Sequence, residues 1–286
     1  MNWVRVFALA IISALFFGAV SEGTANESGS SKAPARVVSM NLCTDQLAIM
    51  LSAPGQLLSV SYLARDETSS AMAKEAAAYP VNRGLAEEIF LLKPDLVIAG
   101  TFTTRATVGM LRRLGIPVVE FAPASSLDEI RERVAKMGTV LGREGEAESL
   151  LARFDADLDA ARIETEERPR AATYYANSYT SGAGTLAHSV MEAAGLANIA
   201  IELGFNGGAS LPLEQLVMER PDLIVTGRTF ETPALAQEIL IHPALQAIRS
   251  ETLRAPVADR DWVCGTPFVI AAIKRLSAAR AAVLAK

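Results

Sequence analysis

Short apolar runs alternate with amphipathic stretches along most of this chain. In the first half, the pattern predicts a helix over 104–114 and strands at 37–40, 57–60, 95–99 and 117–121. In the second half, it predicts helices over 185–194, 234–240 and 266–284, and strands at 170–176, 222–226 and 256–263. This alternation predicts an α/β fold with parallel sheets, in which ligands bind beyond the carboxyl ends of the strands.

One segment of the chain occurs twice. Residues 87–100 read EEIFLLKPDLVIAG and residues 214–227 read EQLVMERPDLIVTG, which align without a gap at an offset of 127 residues. In each copy a short helix stops at the proline, because proline cannot continue it, and a buried strand follows. The repeat predicts two lobes with the same architecture.

A helical stretch lies between the two copies. Residues 127–141 are amphipathic, Gly142 interrupts the pattern, and 143–166 form a second amphipathic stretch before Arg168 and Pro169. At 1.5 Å per residue the second helix would be roughly 36 Å long, enough to cross between the lobes. We therefore expect an N-terminal lobe at 36–142, a bridging helix at 143–168 and a C-terminal lobe at 169–286, with a stiff hinge.

The first residues differ from the rest. Residues 6–20 carry no charge and follow Arg5. Such a stretch is too short to span a bilayer comfortably but matches the apolar region of a signal peptide. We expect 1–25 to be a signal peptide cleaved after Ala25, 26–35 to be a flexible tether, and the mature protein to lie in the periplasm. An uncleaved N-terminal anchor is the alternative.

Composition and charge exclude several classes of protein. With 50% hydrophobic and 21% charged residues among 286, the chain has the composition of a globular protein. A net charge of −5, without a block of Lys or Arg, argues against nucleic acid as a partner. Two histidines and two cysteines leave little material for a zinc site or a histidine-based catalytic site. We therefore expect neither a metal site nor catalytic residues.

Three segments carry a family resemblance: RVVSMNLCTDQL at 36–47, NRGLAEEIFLLKPDLVIAG at 82–100 and RDWVCGTPF at 260–268. Together with the repeat and the single bridging helix, they resemble the periplasmic binding proteins for iron chelates, haem and cobalamin that serve ABC importers. The resemblance covers 36–286. It implies two Rossmann-like lobes with parallel sheets, joined by one long helix, and a ligand held in the cleft between them without a cofactor or catalysis.

The resemblance also implies a function. The protein would capture a metal chelate, either a ferric siderophore or a cobalamin-type corrinoid, and deliver it as a monomer to an ABC permease dimer with its ATPase subunits. Haem ranks lower, because only Tyr62 and Tyr179 are naturally placed to act as its axial ligand. The alternative is an exported α/β enzyme such as a hydrolase or dehydrogenase. It is disfavoured because the sequence lacks a G-x-S-x-G elbow, a P-loop and a full G-x-G-x-x-G motif. A structural or adhesive surface protein, which needs no enclosed cleft, is a third class.

Aromatic, arginine and hydroxyl side chains follow the predicted strands at the edge where the lobes should face each other. Rings can stack on macrocycles or catechols, and guanidinium groups can pair with carboxylates. We predict ligand contacts from Tyr62, Arg65, Thr101, Arg105, Tyr179, Arg228 and Trp262. About half of the aromatic residues in these segments, Tyr174 especially, should be packing residues instead. Asp45 follows Thr44 in the manner of a helix cap, which we favour over a ligand contact.

The two cysteines follow the first predicted strand of one lobe and the last of the other. In an oxidising compartment Cys43 and Cys264 can form a disulfide across the cleft, closing a loop of about 220 residues worth roughly 4 to 5 kcal/mol. Two free buried thiols, or a pair that faces the ligand, are the alternatives.

Glu87 and Glu214 occupy the same position in the two copies of the repeat. The resemblance implies that one glutamate per lobe docks into an arginine pocket on each permease subunit. An acid in the first turn of a helix is also favourable against the helix dipole, so either residue alone could be structural. Glu88, next to Glu87, is a second candidate in the first lobe.

Overall fold

The computed structural model describes residues 33–227, 235–248 and 252–286. The predicted signal peptide, most of the predicted tether and Arg228 lie outside these ranges. Within the described residues, no helix has both the length and the apolar character needed to cross a membrane.

The N-terminal lobe contains a five-stranded parallel sheet. In chain order its strands are β1 (Val37–Ser39), β2 (Leu57–Ser61), β3 (Val81–Asn82), β4 (Leu96–Gly100) and β5 (Val118–Phe121). Their order in the sheet is β3-β2-β1-β4-β5, with Val37 of the central strand opposite Leu57 and Leu96. The helices of this lobe are α1 (Leu42–Leu51), α2 (Ala73–Ala76), α3 (Ala86–Leu91) and α4 (Arg105–Arg113), with a 3₁₀ turn at Tyr62–Arg65. Because β1 and β4 are buried, their sequences are apolar except for Ser39 at the end of β1.

Two helices follow, α5 (Leu127–Leu141) and α6 (Glu144–Ala161), which pack against each other. Gly142 ends α5 in the left-handed conformation, with φ of 65°, so the chain reverses and α6 begins at once. The second helix ends at Ala161, because Arg162 is extended and the N–H of Ile163 donates to Ala193 O at 2.9 Å and not to a carbonyl group of the helix. The predicted helix over 143–166 is therefore too long. The acidic residues that follow would also oppose the helix dipole at this end.

The C-terminal lobe contains a four-stranded parallel sheet and a two-stranded antiparallel ribbon. Its strands are β6 (Arg170–Thr173), β7 (Tyr179–Ser181), β8 (Ala197–Asn198), β9 (Gly208–Ser210), β10 (Leu223–Thr226) and β11 (Leu253–Pro256). The sheet has the order β11-β10-β6-β8, and β7 pairs with β9. The helices are α7 (Leu186–Ala193), α8 (Ile199–Glu202), α9 (Leu213–Glu219), α10 (Pro243–Ala247), α11 (Asp259–Trp262) and α12 (Val269–Leu284), with 3₁₀ segments at Ala176–Ser178 and Leu235–Ile241.

The predicted strand at 256–263 is wrong. The strand in this region is β11, which pairs in register with β10 and ends at Pro256. Acids occupy the first turn of the short helix α11, where they are favourable against the helix dipole. Trp262 is therefore presented by a helix.

A continuous apolar core joins the two lobes. Phe154 and Leu158 of α6 and Ile273 of α12 belong to one buried cluster that also includes residues of both parallel sheets. The two parallel sheets, one in each lobe, confirm the predicted α/β class with two lobes. The exact lobe boundaries at 36–142, 143–168 and 169–286 stay a prediction.

Candidate functional site

A disulfide joins the two lobes between the carboxyl ends of their sheets. Cys43 is the second residue of α1, directly after β1, and Cys264 lies between α11 and α12. Their Cα atoms are 4.8 Å apart, within the range that a disulfide requires. The sequence is compatible with a disulfide, with two free buried thiols or with a pair that faces the ligand. The structure contains the disulfide.

Arg133 of α5 holds the loop that carries Cys264. Its buried Nη1 donates to the carbonyl oxygens of Cys264 at 2.7 Å and Gly265 at 3.3 Å. Burial lowers the pKa of the guanidinium to about 10, so it stays charged at neutral pH. The sequence interpretation missed this residue. The available signal was an arginine beside Val134 on the apolar stripe of an amphipathic helix.

Three aromatic rings cluster at the carboxyl end of the C-terminal sheet. The ring centroid of Tyr175 lies 6.2 Å from that of Tyr179 and 6.5 Å from that of Trp262, the latter in an edge-on arrangement. The cluster borders a cavity of about 410 Å³. The cavity is lined by Tyr175, Tyr179, Ser181, Thr185, Leu186, Ala187, Asp259, Trp262 and Val263. Two predicted ligand residues, Tyr179 and Trp262, are therefore brought together.

Tyr175 is the member of the cluster that sequence interpretation missed. It follows Tyr174, which is fully buried and donates its hydroxyl to Ser178 Oγ at 3.1 Å, as expected of a packing residue. Burial raises the pKa of Tyr175, and the nearby carboxylate of Asp259 adds to the effect. The phenol therefore stays neutral at physiological pH and offers a ring face and a hydroxyl.

The predicted residues of the N-terminal lobe do not line this cavity. Tyr62 begins the 3₁₀ turn after β2 and is 55% exposed. Thr101 follows β4, and Arg105 is the first residue of α4; both are exposed. All three stand at the carboxyl edge of their sheet, as predicted.

Arg65 has a different set of partners from the one expected. Its Nη2 donates to Tyr79 O at 2.6 Å and to Ala77 O at 3.4 Å, and its Nε donates to Ala76 O at 3.4 Å. The guanidinium is thus engaged with the backbone that follows α2. It holds this segment against the 3₁₀ turn, and a ligand contact from Arg65 stays a prediction.

A second cavity, of about 340 Å³, lies between the two lobes. It is lined by Glu67, Ser70, Ala71, Ala73, Lys74, Glu75, Arg260, Asp261 and Phe268. Arg260 Nη1 donates to Glu67 O at 3.2 Å, which adds a direct hydrogen bond between the lobes. This cavity carries charges of both signs, in contrast to the aromatic cavity.

Glu87 and Glu214 lie in the first turns of α3 and α9, and both are exposed. Glu88 is half-buried, and its Oε2 accepts a hydrogen bond from the N–H of Arg83 at 2.8 Å. Glu88 therefore closes the turn before α3, which leaves Glu87 as the outward-facing acid of the first lobe.

Asp45 neither caps α1 nor lines either cavity. Asn41 caps the helix, since its Oδ1 accepts from the N–H of Cys43 at 3.0 Å. Asp45 is fully buried, and its Oδ2 accepts from the N–H and the hydroxyl of Ser61, at 3.1 and 2.5 Å. The carboxyl group links α1 to the end of β2.

We expect Asp45 to make stability depend on pH. Burial raises its pKa from 3.8 to about 6, although hydrogen bonds from Ser39 and Ser61 oppose the shift. The folded protein therefore holds this proton more tightly than the unfolded chain. The stabilisation is complete below pH 4 and is lost as the pH rises to 6, a change of about 3 kcal/mol. Urea unfolding of wild type and Asp45→Asn at pH 4, 5, 6 and 7 measures this loss of stability.

The Asp45→Asn variant keeps a neutral side chain at every pH, and all other groups titrate as in wild type. Its stability relative to wild type should therefore increase between pH 4 and 6. Parallel stability curves for the two proteins would show that this carboxyl group does not titrate in that window.

The sequence profile of the family described as "Periplasmic binding protein" matches residues 37–251. A cobalamin-binding protein of Halobacterium salinarum is 28% identical over 227 residues, which is 78% of this chain and 61% of that protein. The chain thus spans about three fifths of the length of this curated relative.

Solved structures share the fold. The periplasmic heme-binding protein RhuT of Roseiflexus sp. RS-1, in its apo form, aligns over 87% of this chain and 98% of its own, with a TM-score of 0.71 and 22% identity. The vitamin B12 binding protein BtuF of Vibrio cholerae aligns over 89% of this chain and 99% of its own, with a TM-score of 0.67 and 17% identity. With two lobes, parallel sheets and a profile match over most of its length, the chain belongs to the periplasmic binding protein family.

Proposed function

We propose that this protein is the periplasmic substrate-binding component of an ABC importer and that it carries a metal chelate between its lobes. The main observation in support of this proposal is the aromatic cavity at the carboxyl end of the C-terminal sheet. A cobalamin-type corrinoid or a ferric siderophore is the preferred cargo, and haem ranks below them.

The chemistry of the cavity supports a large, partly apolar ligand. Tyr175, Tyr179 and Trp262 offer ring faces and edges for a macrocycle or a catechol. Ser181 and Thr185 add hydroxyl groups that can donate to or accept from the periphery of the ligand. The cobalamin-binding relative and the B12- and heme-binding structures are consistent with such a ligand.

The same cavity argues for binding without catalysis. Among the described residues that line it there is no histidine and no cysteine, so its serine and threonine have no adjacent imidazole base. An exported hydrolase would need such a base next to its nucleophile. This composition supports the proposal that the protein is a carrier.

Delivery of the ligand would use the two exposed glutamates. Glu87 and Glu214 occupy equivalent positions in the two lobes and face outward, so a monomer can present them to the two subunits of a permease dimer. We also propose that residues 1–25 are a leader cleaved near Ala25, in keeping with a family that is exported to the periplasm.

Native mass spectrometry of the protein isolated from its own periplasm tests the proposal. We expect a fraction of the protein to carry one corrinoid or siderophore molecule per chain. Recovery with a bound peptide or nucleotide, or release of a chemically altered chelate, would contradict it.

Replacing Trp262 by alanine should weaken ligand binding by about 2 kcal/mol, or roughly 30-fold, if the ring is a stacking anchor. The change removes the largest ring of the cavity and the edge-on contact with Tyr175. Trp262→Phe, which keeps a ring, is the control and should lose less. Isothermal titration with the chelate identified by mass spectrometry gives both affinities.

Because Trp262 is only 9% exposed, circular dichroism must accompany these titrations. Unchanged affinity in a folded alanine variant would assign the tryptophan to packing.

A further inference from the structure

The two copies of the repeat expose an apolar side chain at the same place. Leu91 at the end of α3 is 77% exposed, and Met218, 127 residues later on α9, is 81% exposed. Ile89 and Leu216, two residues earlier in each copy, are fully buried. Each helix therefore faces the core with one side and presents a large apolar group to solvent with another.

In each lobe the exposed apolar residue accompanies an exposed carboxylate. Leu91 follows Glu87 by four residues, and Met218 follows Glu214 by four residues. Residues spaced in this way are neighbours on a helix surface. Each lobe thus carries the same surface pair, one acid and one apolar side chain, which we call the docking pair.

Hydrogen bonds tie the end of the helix that carries the first docking pair to the start of β1. The carboxylate of Asp95 accepts a hydrogen bond from the N–H of Arg36 at 2.9 Å. The guanidinium of Arg36 in turn donates to Leu92 O at 2.5 Å and to Lys93 O at 2.9 Å, which are carbonyl groups at the end of α3. These bonds attach the helix end to the residue that precedes β1.

The second docking pair has an equivalent support. Asp222, the counterpart of Asp95, accepts from the N–H of Arg170 at 2.8 Å, and Arg170 Nη1 donates to Glu219 O at 2.6 Å. Each helix is also followed by a basic residue in the left-handed conformation, with φ of 48° at Lys93 and 45° at Arg220. Two lobes that differ in most side chains thus hold the docking pair in the same local geometry.

Scattered exposed apolar residues are normal on protein surfaces and need no explanation singly. Here two of the most exposed apolar side chains occur at equivalent positions, each next to a carboxylate and each on the same hydrogen-bonded support. A partner that binds both docking pairs must present the same surface twice. A two-fold symmetric dimer meets this requirement. Charge complementarity requires a basic group on each half, and burial of Leu91 and Met218 requires an apolar rim beside it.

We propose that Leu91 and Met218 are apolar anchors that contact the two subunits of a symmetric permease, each beside the basic pocket that receives Glu87 or Glu214. This inference rests on the proposed function and extends it from charge pairing to hydrophobic contact. The glutamates supply orientation, and the apolar side chains supply contact area that leaves water on docking.

The first experiment locates the partner. Benzoylphenylalanine is placed at position 91 or at position 218 of the full chain, and the protein is irradiated with inner membranes from the source cells. We expect both positions to crosslink to one and the same polytopic membrane protein. Crosslinks to two unrelated proteins, or to a second copy of this chain, would overturn the inference.

The second experiment measures affinity for that permease, solubilised with its ATPase subunits. Leu91→Ser and Met218→Ser should each weaken binding about tenfold. Leu91→Met and Met218→Leu keep the apolar surface and should bind nearly as wild type. Leu284→Ser, at the end of α12, removes an apolar side chain that is 41% exposed elsewhere and is the surface control.

Comparison with Glu87→Ala and Glu214→Ala separates the inference from the function on which it rests. If the glutamate variants lose binding and the serine variants bind as wild type, docking through Glu87 and Glu214 is supported and the role of Leu91 and Met218 as apolar anchors is overturned. Wild-type binding in all four variants would overturn both. Affinity for the chelate, measured in parallel, should not change in any of them.

Discussion

Replacement of both Cys43 and Cys264 by serine is expected to lower the free energy of unfolding by about 5 kcal/mol. The bridge joins residues separated by 221 positions, so it removes the loop-closure entropy of a long segment from the unfolded chain. Urea unfolding of the oxidised protein and of the double variant measures the difference. Reduced wild type is the matched control and should unfold at about the same urea concentration as the double variant.

Thiol titration of denatured, unreduced protein checks the premise. The structure predicts that neither cysteine reacts, and two reactive thiols would contradict the bridge. Because the disulfide and the Arg133 hydrogen bonds both connect the lobes near the cleft, we further expect the variant to bind the chelate more weakly as the lobes gain freedom.

Simultaneous replacement of Glu87 and Glu214 by alanine should abolish chelate uptake while leaving chelate affinity and stability nearly unchanged. Both side chains are exposed, and neither lines the described cavities, so their loss should not disturb the fold or the ligand site. In the proposed docking, these are the two charges that would orient the protein on the permease, and the variant would lack them. Uptake by cells and ligand-stimulated ATP hydrolysis by the reconstituted transporter are the measurements.

Glu148→Ala with Asp159→Ala is the matched control, since it removes two exposed carboxylates from α6 and changes the net charge equally. This control should transport normally. If the Glu87 and Glu214 variant also transports normally, the docking assignment is wrong.

Much of the fold could be predicted because the repeat and the apolar runs are local signals. The predicted strands at 37–40, 57–60 and 95–99 coincide with β1, β2 and β4, which are buried and rich in aliphatic residues. The two-residue strands β3 and β8 and the ribbon of β7 and β9 are too short to produce a readable period. They form because neighbouring strands supply hydrogen-bond partners, which a local pattern does not record.

The site was harder to predict because side-chain partners depend on tertiary contacts. The sequence places Tyr179 after a predicted strand and Trp262 at the end of another, whereas in the structure Trp262 lies on a helix. Arg65 follows a strand in the same way, but the nearby carbonyl groups after α2 engage its guanidinium. Arg133 and Tyr175 were missed because only the folded chain brings them to the cleft.

Isothermal titration of the purified protein tests most directly whether it binds a metal chelate between its lobes without transforming it. The ligands are cyanocobalamin, dicyanocobinamide, a ferric catecholate siderophore and haemin. We expect saturable one-to-one binding of at least one corrinoid or siderophore, with a dissociation constant below about 1 μM and with quenching of Trp262 fluorescence. Absence of binding to all four compounds, or conversion of the bound compound to a product, would contradict the account.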